Sequence, residues 1–453
     1  MTQSQSKDAN SSNDKKGSLK WWQLSLLGVA SIIGTGFFLG SSLAIKTSGP
    51  SILISFLLAA LATYIVFNAL ARMTADDPQK GSFRSYAKKA FGRWAGFSNG
   101  WVYWASEMLI MGSQLTALGL FTRFWFDNFP LWLLTLIYGV LGIIVILAGV
   151  SSFKKVENVL AILKIAAIFM FIIIAALALF GVIDGEKEVS IKKTYSEIFP
   201  NGFKGFWTAL IYAFYAFGGI EVMGIMASDL KEPKDAPKSG KIMLILLTTI
   251  YLLSLGLAIT LLSWDKFSTK QSPFMTALEG YNLPFVPHVF NAVLIIGGFS
   301  TMVAALYGVT NMIVTLSEDG DAPKVFQTTK GKKKLPIAAL LLTVGGLIVS
   351  IVVSLLLPDK IYEYLTTAAG LMLLYTWLFI LFSFKRVMKK LTATDKFLRI
   401  LGILLILLAI SGTMFEKVSR IGFFVSFAFL GVIGIVTLIM RKKWKKEEAT
   451  HKG

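Results

Sequence analysis

Apolar stretches of about twenty residues recur along this chain, parted by short polar segments. They cover about 22–45, 50–73, 94–124, 131–149, 156–180, 206–230, 240–263, 288–317, 336–357, 361–384, 397–412 and 420–440. At about 1.5 Å per residue, a helix of this length crosses a hydrocarbon layer of roughly 30 Å. The pattern predicts an all-α membrane protein of twelve transmembrane helices. Two of the spans are weakened at mid-length. The first contains SIIGTGFFLG and the sixth AFYAFGGIEVMG. Glycine inside a helix costs roughly 1 kcal/mol, and unwound backbone at membrane depth is tolerated only where protein buries it or water and ligand reach it. The two interruptions lie five spans apart, the spacing of inverted repeats made of spans 1–5 and 6–10 with a site between them near the midplane.

Composition agrees with a membrane chain. Of 453 residues, 55% are hydrophobic and 16% charged, where a soluble domain is nearer a quarter charged. The absence of cysteine excludes disulfides, thiolate zinc sites and cysteine lipid anchors. The two histidines, His288 and His451, cannot build a metal cluster, and no cofactor is expected. A net charge of +19 by itself suggests a nucleic-acid partner, but its placement argues otherwise. With the N-terminus inside, cytoplasmic segments hold 33 of the 45 Lys and Arg, the positive-inside pattern. Basic runs such as KGKKK and RKKWKK then face the cytoplasm, both termini are cytoplasmic, and the lipid bilayer of the plasma membrane is the partner. Residues 1–20 are expected to form a disordered tail, 21–385 a core of ten spans, 386–440 two additional spans and 441–453 a basic tail. No small-residue cleavage site follows the first apolar run, which marks a retained span rather than a signal peptide.

Three readings compete for Gly34-Thr35-Gly36. A nucleotide loop needs G-x-G-x-x-G after a strand, and here the third glycine is one residue late with no strand before it. Helix packing through Gly36 and Gly40 fits the GxxxG spacing. A discontinuous helix exposing backbone N–H and C=O groups to a ligand also fits, and Gly218-Gly219 in the sixth span favours it. A membrane enzyme is disfavoured by short loops and by the lack of H-E-x-x-H and G-x-S-x-G. A scaffold would leave both broken spans without purpose.

GVASIIGTGFFLG, GSFRSYAKKAFGRWAGFSNGWVYW, FYAFGGIEVMGIMASDLKEP and SEDGDAPKVF resemble signatures of the amino acid–polyamine–organocation superfamily, most closely its bacterial amino acid permease branch. The likeness covers spans 1 to about 10. It implies the five-plus-five inverted-repeat transporter fold with two extra C-terminal helices. It also implies alternating access for an amino acid with proton symport, the exchanger and the polyamine or cationic amino acid carrier being alternatives on the same fold.

A zwitterion suits the broken helices. Amides near Thr35 and Gly36, at a positive helix end, can hold its carboxylate. Carbonyls around Ser31, Ile32, Phe217 and Gly218 can accept from its ammonium, with Ile33, Gly34 and Gly219 completing the unwound backbone. Tyr215 and Phe217 are gate candidates or core aromatics, and the resemblance favours Phe217. Ile220 and Met223 either shape the pocket or pack. Glu221 and Glu107 are acids within spans, functional candidates by cost alone. The expected role of Glu221 is chiefly to hydrogen-bond the loosened backbone, with proton movement as the alternative. At Gln114 the resemblance implies a glutamate, so a titrating role there is absent and a net-cationic substrate is disfavoured. At Arg72 it implies an acid, which removes a shared inner-gate salt bridge.

Lys164 sits eight residues into the fifth span, about 12 Å deep. Snorkelling to the cytoplasm is one reading. The resemblance implies another: the amine stands where sodium-coupled relatives bind sodium, between spans 1 and 8, with Ser300 or Thr301 as partners. The oligomeric state leaves no mark in the sequence.

Overall fold

The structure, a computed structural model, describes residues 19–79, 81–148, 150–185, 194–330, 335–356 and 360–450. Residues 1–18 of the expected tail, 331–334 of KGKKK and the last residues, 451–453, lie outside the described residues. The chain is built of helices. The first broken span comprises α1 (Trp21–Ile32), α2 (Thr35–Phe38) and α3 (Gly40–Ser48), and α4 (Ile52–Asp76) returns beside it. A short helix, α5 (Ser82–Phe91), leads into α6 (Arg93–Arg123), α7 (Leu131–Ala148) and α8 (Val150–Leu179). After α9 (Tyr195–Ile198), the second broken span is α10 (Gly202–Tyr215) and α11 (Ile220–Met226). Then follow α12 (Ala236–Leu261), α13 (Pro273–Thr276), α14 (Val286–Glu318), α15 (Ile337–Leu356), α16 (Ile361–Val387), α17 (Ala393–Gly412) and α18 (Lys417–Thr450).

Among the described residues, eight helical segments are long and apolar enough to cross a membrane, and the helices over Trp21–Ile32 and Ile337–Val349 are apolar but shorter. The expected third span, α6, carries Asn99, Glu107 and Gln114 and is not among the eight. Its physical reason is position. It packs against α5, α7, α14, α16 and α18, so protein rather than lipid surrounds its polar side chains. Burial separates centre from rim. In its apolar window α16 is 78% buried, whereas α18 is 11% buried and presents Phe424, Val432, Ile435 and Ile439 outward. α18 also runs as helix through the basic stretch to Thr450.

One polar knot gives SEDGDAPKVF its structural meaning. Asp321, just past α14, has a fully buried side chain and pairs with Arg84 of α5 at 3.4 Å and Arg93 of α6 at 3.0 Å. Arg84 also pairs with Asp319, and the Trp101 indole donates to the Asp321 carbonyl at 3.2 Å. Removing one partner of so buried a pair leaves a stranded charge, typically costing about 3–5 kcal/mol. Arg72 pairs with Asp395 of α17 and lies 5.2 Å over the Phe384 ring of α16, tying α4 to the first of the additional C-terminal helices.

Candidate functional site

The two glycine-marked interruptions are real breaks. α1 ends at Ile32, and Ile33 and Gly34 are extended before α2 begins. α10 ends at Tyr215, and the chain passes through a loose turn to Gly219, whose φ of +110 favours glycine. The breaks touch each other: a Cβ on Gly219 would lie 3.3 Å from the Ile32 side chain, and one on Gly36 would lie 3.0 Å from the Tyr215 ring. Gly34 differs from both, since its backbone is extended and an added Cβ would sit 3.8 Å from Thr301.

Backbone groups at the breaks divide into engaged and free. Lys164 Nζ donates to the carbonyls of Ala30 at 2.8 Å and Ile33 at 3.4 Å. The Tyr362 hydroxyl donates to the Thr35 carbonyl at 3.0 Å, and the Tyr251 hydroxyl to the Ala216 carbonyl at 3.0 Å. By contrast, the carbonyls of Ser31, Ile32, Phe217 and Gly218 and the amides of Gly34, Thr35 and Gly36 have no protein partner among the described residues. Two side-chain atoms at the same place, Thr35 Oγ1 and Gln114 Oε1, are buried without a partner. Leu118, one turn beyond Gln114, meets Thr35 across Gly298 of α14. Polar groups inside a protein are overwhelmingly paired, and this concentration of free donors and acceptors of both kinds makes the breaks a candidate site for a small polar ligand.

The remaining predicted residues are distributed around it. Lys164 is 3% exposed, and its stem lies beneath Gly297 of α14, where a Cβ would strike it. Ser300 is buried, and the Thr301 hydroxyl bonds back to the Gly297 and Gly298 carbonyls of its own helix. Glu221 is fully buried; one carboxylate oxygen accepts the Gly219 amide at 3.1 Å and the other accepts the Trp377 indole. Glu107 of α6 is buried as well. Tyr215 faces the break and bonds Ser113 of α6 at 2.5 Å. Phe217 turns away, its ring 5.1 Å from Tyr251 and 6.1 Å from Phe56 in a packed aromatic cluster. Ile220 and Met223 are wholly buried in the core. Ser31 is exposed.

Sequence reasoning misses Tyr362, Trp377, Tyr251 and Ser113. Each is an ordinary polar or aromatic residue within an apolar run, and the nearest partner that any of them meets at the breaks is 35 residues away. No local signal distinguishes them.

A family model described as amino acid permease matches residues 23–450. The chain is similar to the uncharacterized transporter YcgH of Bacillus subtilis, 58% identical over 94% of this chain and 96% of that one. It is also similar to the gamma-aminobutyric acid permease of the same organism, 27% identical over 96% and 95%. The aromatic amino acid transport protein AroP of Corynebacterium glutamicum is 30% identical over 85% and 84%.

Proposed function

The chain belongs to the amino acid permease family, and from that membership we propose that it carries a neutral amino acid across the plasma membrane together with a proton, by alternating access. Family and relatives make it a multi-pass membrane transporter, not an enzyme. The finer reading rests on one observation above the rest: unpaired amides and unpaired carbonyls occur side by side at two touching helix breaks. The amides of Gly34–Gly36 bind the substrate carboxylate, aided by the positive end of the helix that follows. The carbonyls of Ser31, Ile32, Phe217 and Gly218 take the ammonium. Tyr215 covers the site from α10, the role of gate passing to it because Phe217 is occupied in packing. Gln114 offers an amide where a cationic side chain would need a carboxylate, which supports a neutral substrate. Lys164 couples the proton, and the inverted repeats supply one broken span each. Both termini lie in the cytoplasm, consistent with the placement of Lys and Arg.

Uptake of a labelled amino acid panel into proteoliposomes tests this reading. The panel includes gamma-aminobutyrate and the aromatic amino acids, the substrates named for relatives. At least one neutral amino acid is expected to accumulate against its gradient when the outside is acid, and a protonophore is expected to abolish the accumulation. Exchange that ignores the pH gradient for every substrate would make the protein an exchanger.

Glu221 is assigned the structural role of holding the loosened backbone. Its two oxygens accept from two N–H donors, and glutamine would turn an NH2 toward one of them. Glu221→Gln is therefore expected to lose about 1–3 kcal/mol of stability, seen as a lowered Tm of the purified protein with weakened substrate binding. An unchanged Tm with selective loss of proton-driven uptake would place Glu221 in the proton path instead.

A further inference from the structure

At the end of the bundle that the charge placement puts outside, two acids lie apart from the breaks. Glu363 stands in the first turn of α16, and Glu416 immediately precedes α18. Both are half-buried. The Tyr212 hydroxyl of α10 donates to Glu363 Oε1 at 3.2 Å and shares a hydrogen bond with Ser419 Oγ at 3.1 Å. The Ser419 amide in turn donates to Glu416 Oε2 at 2.7 Å. Tyr212 and Ser419 are buried, so the acids are joined through a protein-enclosed bridge. The other charges nearby are Lys360, which precedes α16, and Lys417 and Arg420, which are exposed on the first turn of α18; Arg420 is engaged with the Met414 carbonyl at 2.9 Å.

A second observation extends this bridge inward. The Thr366 and Thr367 hydroxyls are fully buried and have no hydrogen-bond partner among the described residues. Thr366 and Thr367 lie on α16 one turn beyond Tyr362 and Glu363. Tyr362, next to Glu363 in the chain, donates to the Thr35 carbonyl in the first break. Unpartnered hydroxyls at such burial mark a network that a small guest completes.

We propose that Glu363 and Glu416 form an external proton-binding site, tied to the broken helix through Tyr212, Thr367, Thr366 and Tyr362. This rests on the transport reading and orientation given above. With both carboxylates ionised they repel. A proton from outside water forms one O–H bond on a carboxyl oxygen, hydronium reverting to water, and one negative charge is lost. The outer ends of α16 and α18 then approach, and Tyr362 transmits the shift to Thr35. Outside acidity thereby favours one arrangement of the break.

The natural chain has no cysteine, so a single Ser31→Cys reports the break without any substrate. Its maleimide labelling rate, divided at each pH by that of a free alkyl thiol so that thiolate formation drops out, is measured in proteoliposomes at fixed inside pH while outside pH is stepped from acid to neutral. The rate is expected to follow outside pH. Glu363→Gln and Glu416→Gln, each made separately, are expected to flatten that profile, and Glu363→Asp to retain it. Tyr362→Phe, lacking only the hydroxyl link, should flatten it as well. The profile should persist in a Lys164→Ala background. A full profile in both glutamine variants overturns the proposal, and so does a profile lost only with Lys164. Because labelling needs neither substrate nor net proton flow, failure of pH-driven accumulation would sink the symport reading while leaving this result to be judged separately.

Discussion

Lys164→Ala is expected to abolish accumulation driven by an acid-outside gradient while leaving substrate exchange. The amine is the only protein group donating from α8 into the first break, holding two carbonyls there among the described residues. Hydrogen bonds from a charged donor contribute about 1.5–3 kcal/mol each. Losing even one such bond plus part of the other shifts the equilibrium between tethered and released breaks by about 3 kcal/mol, or roughly a hundredfold. In the proposed coupling, release of the amine's proton weakens its hold on the carbonyls and frees the inner side to open. One proton then biases one conformational equilibrium, which is what coupling requires. Lys164→Arg is expected to fail as well, because guanidinium stays charged. Proteoliposome uptake with and without the gradient measures both. Concentrative, pH-dependent uptake by the alanine variant would exclude the lysine as the coupling group.

Gly36→Val and Gly219→Val are expected to weaken substrate binding by about tenfold or more, for two different physical reasons. At Gly219 the cost is conformational: a φ of +110 forces a β-branched residue into strain of about 1–3 kcal/mol. At Gly36 the cost is steric, since even a first side-chain carbon would crowd Tyr215 at 3.0 Å and displace the proposed gate. Gly34→Ala should be milder than either, because extended backbone and open space accept a methyl group there. Binding of the substrate identified in the uptake panel, measured by calorimetry on purified protein, ranks the three. Competition by its amide or N-acyl derivative as strong as by the parent would dismiss the two-pole site.

The position of the two breaks was legible in the sequence to a large degree. Two glycine-weakened spans five apart located the breaks, because backbone irregularity inside a membrane leaves a compositional mark. The carbonyls proposed for the ammonium are among those left without partners in the structure. The supporting shell was not legible. Tyr362, Trp377 and Tyr251 reach the breaks from helices remote in sequence, and nothing in an apolar helix marks which aromatic will point inward. The third span illustrates the same limit from the other side. Its hydropathy is low because protein surrounds it, a circumstance that local composition expresses only as a weaker signal.

By itself, the sequence determined membrane class, helical content, the locations of the two breaks and the chemical types of group they expose. These follow from hydropathy, helix propensity and backbone freedom, which act within a few residues. Only the tertiary structure decided that the breaks touch, that Lys164 turns its amine into one of them, that Phe217 packs against Phe56 while Tyr215 faces Gly36, and that Glu363 and Glu416 are joined through Tyr212 and Ser419. The physical reason is that lipid tails are as apolar as leucine, so which helix neighbours which is set by close packing and hydrogen bonds between distant segments, and those complementarities exist only once the helices are assembled.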